Sequence, residues 1–251
     1  MIDFFDVNLA IDSGVCSFAG RQKGKTNLFK LLVHELLKYG ITVKVFDPSQ
    51  AWTRNGPILD KITVRLDQQM DLLTEFSIVY DISRLTRPDQ RTLVNSIIAE
   101  DYDKQANTPE KLRTPKFYVF EEAQLFASSQ SVRWMEEVYK LVTVGANFKM
   151  SYGLISQRPA SIDTECISRC SQIYIGNLWE SNDLRKIRNY LNYSRVETYE
   201  VISHLPVGCF VKIENGKKKI ISVPLFQGPD ATELRSEKPS LVQTLKSLIR
   251  I

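Results

Sequence analysis

Between Val15 and Asp47 the chain passes through a short apolar run, a small polar loop, a helically spaced segment and a second apolar run, and no other stretch restricts the fold as strongly. Val15 to Phe18 is too short, and too rich in β-branched and aromatic residues, for anything but a buried strand. From Thr26 to Tyr39 the spacing turns helical, with Leu28, Leu31, Leu32, Leu36 and Tyr39 predicted along one apolar face. Gly40 ends that helix with a left-handed cap, and Ile41 to Phe46 supplies the next strand. The loop between strand and helix reads Ala19-Gly20-Arg21-Gln22-Lys23-Gly24-Lys25-Thr26-Asn27. A Gly-Lys-Thr triplet at a helix start gathers backbone N–H groups and the positive end of the helix dipole around one point, which suits a nucleotide phosphate. The usual pattern is G-x-x-x-x-G-K-[ST]; here Ala19 stands at the first glycine and Gly20 follows it. In this reading Lys25 reaches the β- and γ-phosphates and the Thr26 hydroxyl ligates Mg²⁺.

Two further strand ends carry chemistry. Phe117 to Phe120 is an apolar strand followed directly by Glu121-Glu122. Paired acids at such a place divide two tasks: Glu121 holds the metal, and Glu122 polarises the attacking water as general base. Lys149 to Ile155 forms another strand and ends in Ser156-Gln157-Arg158-Pro159. Gln157, at that tip, can bond both the γ-phosphate and the water and so sense cleavage. Asp47 ends the second strand, at the edge where open α/β sheets bind ligands, and either faces the nucleotide or caps the turn Pro48-Ser49-Gln50.

The remaining chain is consistent with one large α/β domain, as 251 residues with 43% hydrophobic content would suggest. A net charge of +4 is weak, so any nucleic-acid contact must come from local basic patches. The opening MIDFFDVN lacks a basic n-region, which argues against a signal peptide, and no apolar run approaches the roughly 18 residues of a membrane span. Cys16, Cys166, Cys170 and Cys209 are scattered away from His34 and His204, so buried thiols in a reducing cytoplasm are expected rather than a zinc site. Ile78 to Ile82 is a strand, and a helix from near Pro88 carries Leu93, Val94, Ile97, Ile98 and Tyr102. The stretch 101–116 is predicted to begin in the end of that helix and to become a polar surface connection. A helix is expected from about Val132 to Val144, with Trp134 on its apolar face, a strand over Ile173 to Gly176 and a basic helix over Asp183 to Tyr193. Val207 to Glu214 and Lys219 to Pro224 are joined by Asn215-Gly216 as a β-hairpin. After Gly228, Leu241, Leu245, Leu248 and Ile249 predict an amphipathic tail helix that packs on its own domain or on a neighbouring subunit. Residues 51–76 give no functional signal.

Taken in order, the loop with GKT, FDPSQAW, IVYDIS, YVFEEAQLF, LISQRPASID, ISRCSQIYIGNL and LPVGCFVK resemble the HerA/FtsK superfamily of ATP-driven DNA pumps over roughly Val15 to Val223. Within it the chain looks most like compact ATPases encoded by archaeal viruses and plasmids, since it lacks the N-terminal barrel of HerA helicases and the membrane segments of FtsK. The resemblance implies a RecA-like P-loop domain over residues 1–225, its mainly parallel central sheet flanked by helices, with the hairpin at about 207–224 and the tail at 226–251. It also implies ATP and Mg²⁺ as cofactors and a homo-oligomer, a hexameric ring, with double-stranded DNA threaded through it. A capsid, portal or loading protein would be a further partner, with no membrane and a cytoplasmic site of action. Carried over by position, Lys25 and Thr26 contact phosphate and metal, Glu121 and Glu122 are the hydrolytic acids, and Gln157 is the sensor. The family commonly has Gly-Arg before the sensor strand, where this chain has Gly145-Ala146-Asn147. A replacement cation is sought among Arg158, Lys149 and, from a neighbouring subunit, Arg169 or Arg185. DNA contacts are open among Arg84, Arg87, Arg133, Arg185, Lys186 and Arg188, each of which can equally be solvated surface. The function implied is duplex translocation for packaging or transfer; the rivals are a replication helicase or initiator, and a slow ATP-controlled binding switch.

Overall fold

A computed structural model describes residues 4–53, 59–64, 76–128 and 135–226. Helix α1 (Val7–Asp12) precedes strand β1 (Gly14–Phe18), and α2 (Lys25–Lys38) connects β1 to β2 (Thr42–Asp47). Strands β3 (Asp60–Thr63) and β4 (Ile78–Asp81) follow, then α3 (Arg87–Asn107), β5 (Lys116–Phe120), α4 (Glu136–Val144) and β6 (Met150–Ser156). The chain continues through α5 (Thr164–Ser168), β7 (Cys170–Ile175), α6 (Ser181–Leu191), α7 (Arg195–Ser203), β8 (Cys209–Glu214) and β9 (Lys217–Ser222).

These strands form a nine-stranded sheet in the order β3-β4-β2-β5-β6-β1-β7-β8-β9. Every neighbouring pair from β3 to β7 is parallel, so the loops after β1, β2, β5, β6 and β7 emerge at one edge. Asn215 and Gly216, at φ 50° and 72°, make the tight turn that the sequence predicts. The hairpin is no appendage: β8 pairs antiparallel with β7 and prolongs the same sheet. Both faces are covered, as a parallel sheet requires. Leu28, Phe29, Leu32 and Leu36 of α2 pack with Val15, Val43, Val45 and Val119 on one face. On the other, Val94, Ile97 and Ile98 of α3, Val138 and Leu141 of α4, and Ile187 of α6 pack with Phe18, Phe46, Phe120 and Leu154.

Tyr39 is a correction. It lies just beyond α2 at 59% exposure, because the helix ends at Lys38 and its cap turns that ring outward. The connection after α3 is another: the helix runs on to Asn107, and Asp101, inside it as expected, is buried. Its carboxylate takes Lys44 Nζ at 2.5 Å, Lys116 Nζ at 2.6 Å and the Tyr118 hydroxyl at 2.8 Å, tying α3 to β2 and β5. Removing the acid would leave two buried ammonium groups poorly compensated, which is strongly destabilising. All four cysteine thiols are buried. Among the described residues no helix is long and apolar enough to cross a membrane. The expected tail helix, Arg133 and Trp134 lie outside the described residues.

Candidate nucleotide site

A cleft of about 630 Å³ opens at the sheet edge where β1, β2, β5 and β6 end. The loop after β1 forms its floor. Gly24 sits at φ 97°, a conformation that favours glycine, and serves as the N-cap of α2, so the helix's unbonded N–H groups face the cleft. Lys25 is 6% exposed, and its Nζ donates to the Gly20 carbonyl at 2.8 Å. Burial lowers the affinity of this ammonium for its proton, while Glu121 and then Glu122 oppose that shift.

Ala19 fits because of a second glycine. A methyl built on Gly176 would come within 2.9 Å of the Ala19 Cβ and 3.0 Å of the Phe210 ring. The missing side chain at Gly176, after β7, thus makes room for the one that Ala19 adds. Gly176→Ala is expected to cost about 1–3 kcal/mol by overpacking, read from the urea midpoint. Adding Ala19→Gly should recover part of that loss; a neutral Gly176→Ala would dissolve the pairing.

Glu121 lies at the bottom of the cleft, 3% exposed. It accepts from the Thr26 hydroxyl at 3.2 and 3.3 Å and from Trp52 Nε1 at 3.0 Å. Burial first, then the charges of Asp47 and Glu122, push its carboxyl up to about 8. A divalent cation would reverse that push. Thr26 and Glu121 together offer hard oxygen donors within one small volume, and among the described residues no three His, Cys, Asp or Glu side chains form an all-protein cage. That donor set fits Mg²⁺, which usually takes one or two protein oxygens and completes its octahedron with water and substrate phosphate.

Glu122 takes a left-handed backbone at φ 51°, uncommon for a side chain of this kind. Its Oε1 accepts from Gln157 Nε2 at 2.5 Å and its Oε2 from Gln124 Nε2 at 2.8 Å. Ser156 Oγ donates to Gln124 Oε1 at 2.7 Å, so the ends of β5 and β6 are joined through the acid. Lys25, Thr26, Glu121, Glu122 and Gln157 all line the cleft.

The other predicted residues lie apart. Arg158 is turned to α6, its Nε 3.1 Å from Asp183 Oδ2, and does not line the cleft. Lys149 and Arg169 precede β6 and β7, at the opposite edge of the sheet, about 20 Å of strand from Gln157. Arg185 donates to Asn182 on α6. Asp47 is buried and accepts from the backbone N–H groups of Ser49, Ala51 and Trp52 at 3.0, 3.2 and 2.9 Å, so it shapes the turn that seats Trp52.

Sequence reasoning missed Trp52, Gln124, Lys30 and the rim formed by Val207 and Leu225. Lys30, 3% exposed, lines the cleft one helical turn beyond Thr26. A lysine between Leu28 and Leu31 on an otherwise apolar helix face was a usable signal. Asn27 had a role beyond the loop: its Nδ2 donates to the Pro224 carbonyl at 2.8 Å and its Oδ1 accepts from Phe226 N at 2.7 Å. These bonds hold Leu225, 61% exposed, at the cleft, which Val207, 63% exposed, also lines.

Solved structures share this fold. The genome packaging NTPase B204 of Sulfolobus turreted icosahedral virus 2, in complex with AMPPCP, matches with a TM-score of 0.63 over 86% of this chain and 100% of its own, at 18% identity. The chain has a RecA-like P-loop ATPase fold. VirB4 of Thermoanaerobacter pseudethanolicus matches at TM-score 0.59 and 11% identity, over 84% of this chain and 89% of its own. The pCW3 conjugation coupling protein TcpA, with ATPγS, matches at 0.55 and 12% identity, over 94% and 66%. In sequence, the probable helicase MJ1565 of Methanocaldococcus jannaschii is 33% identical over 75 residues, which is 30% of this chain and 15% of that protein. No family model matches the chain. The likeness drawn from the motifs is therefore a likeness of fold as well.

Proposed function

We propose that the chain is a Mg²⁺-dependent ATP hydrolase of the HerA/FtsK type that moves double-stranded DNA as a packaging or transfer motor. The observation that carries this reading is the bridge from Gln157 to Glu122 in the same cleft as Lys25 and Thr26. Lys25 and the α2 N-terminus would bind the phosphates, and Thr26 and Glu121 would hold Mg²⁺, which would neutralise phosphate charge. Glu122 would take the proton of the attacking water at Oε1 or Oε2, its carboxylate aimed by Gln124 and Gln157. Loss of the γ-phosphate would change what Gln157 bonds, and β6 would carry that change into the sheet.

The relatives support this reading by what they are: a genome packaging NTPase and a conjugation coupling protein, each solved with an ATP analogue. A homo-oligomeric ring, six subunits by the family resemblance, would let a neighbour bring Arg169 or Arg185 to the phosphates. Residues 1–225 would be the motor domain and 226–251 a tail. A capsid, portal or loading protein would recruit it in the cytoplasm, the host's if the chain is virus-encoded. Turnover of ATP with and without duplex DNA tests the reading.

Two observations favour other readings. The 75-residue match to a probable helicase favours strand separation, which a displaced-strand assay would detect. The pairing of Arg158 with Asp183 leaves the cleft without that cation and favours a slow ATP-controlled switch, whose turnover would ignore DNA.

A further inference from the structure

A second cleft, of about 850 Å³, lies between α6 and α7. Trp179 at its mouth is 79% exposed and Val196 69%, while Tyr199, at 53%, stands edge-on to His204 with centroids 6.1 Å apart. Both rings border one concavity, and contiguous exposed apolar surface marks an interaction site. Arg185, Arg188 and Arg195 also line it, and among the described residues no carboxylate does. Two acids at the starts of these helices are committed: Glu180 accepts from the backbone of Asn182 and Asp183, and Glu197 closes the capping box with Ser194. Arg188 and Arg195 have no side-chain ion pair or hydrogen bond among the described residues.

The cleft is also attached to the nucleotide loop. Gly20 N donates to the Asn177 carbonyl at 2.7 Å, and Asn177 Nδ2 donates to the carbonyls of Ser203 and Leu205 at 2.6 and 3.1 Å. Asn177 therefore joins the phosphate loop to the end of α7, two residues before Trp179.

We propose that the cleft between α6 and α7 binds a single nucleic-acid strand, with Trp179 and Tyr199 stacking on bases and the three arginines on phosphates. Open aromatic faces beside permanent cations are the combination that binds unpaired strands without reading sequence. A duplex keeps its base faces stacked and offers the rings nothing. The proposal does not depend on duplex translocation, and through Asn177 the strand's hold is coupled to the state of the phosphate loop.

The test titrates the full chain with a labelled oligothymidylate, following strand anisotropy and tryptophan emission. The expected result is binding with quenched emission, weakened about 10-fold or more by Trp179→Ala and less by Trp179→Phe. Arg188→Ala with Arg195→Ala should reduce the slope of log affinity against log salt by about 0.7 per arginine. Circular dichroism and basal ATP turnover, unchanged in these variants, would exclude misfolding. Affinity and slope that do not move in well-folded variants would overturn the proposal. So would equal sensitivity of duplex binding to Trp179→Ala, or displacement of the strand by polyglutamate at equal charge, which would make the cleft a site for an acidic protein segment.

Discussion

Glu122→Gln is expected to bind ATP with near-normal affinity and hydrolyse it at least about 100-fold more slowly, since a positioned general base contributes roughly 10²–10⁴ in rate. The substitution keeps the shape and removes the proton acceptor. It also breaks a specific arrangement: both carboxylate oxygens accept from amide nitrogens, Gln157 Nε2 and Gln124 Nε2. A glutamine at 122 offers only one acceptor oxygen, so one neighbouring amide must turn over. Gln124 is pinned by the Ser156 hydroxyl, which leaves Gln157 as the side chain that reorients. Nucleotide binding and phosphate release, measured on the same preparation, check this. Turnover close to that of the unaltered chain would move the base elsewhere.

The second large effect belongs to Lys25→Ala. A charge-assisted hydrogen bond is worth about 1.5–3 kcal/mol, so nucleotide affinity should fall about 10- to 150-fold. Losing Lys25 also removes the bond to the Gly20 carbonyl and an ammonium whose charge acts on Glu121 and Glu122. Lys30 lines the same cleft, one turn along α2, and keeps the fall from being complete. The measurement is nucleotide affinity by calorimetry; an unchanged value would remove the phosphate-loop assignment.

What the sequence made legible is local. The strand, loop and helix around Gly24, the acids after Phe120, the Gln157 strand end and the Asn-Gly turn are each written in consecutive residues, through periodicity, capping or turn chemistry. What it hid depends on partners far along the chain. Trp52 bonds Glu121 across 69 positions, and Asp101 finds Lys44 across 57. Asp101 stands among charged residues near a helix end, and only the fold sets it against two strand lysines. The departure at Ala19 looks like a defect until Gly176, on another loop, is seen to give its methyl room. Arg158 follows the sensor glutamine directly, yet the turn beyond β6 points it at Asp183.

Steady-state ATP turnover at low salt, with Mg²⁺ and with or without duplex DNA, tests the motor account most directly. The account predicts turnover that rises when duplex is added, falls back as salt weakens the phosphate contacts, and disappears in Glu122→Gln. Turnover that duplex leaves unchanged at low salt would contradict it.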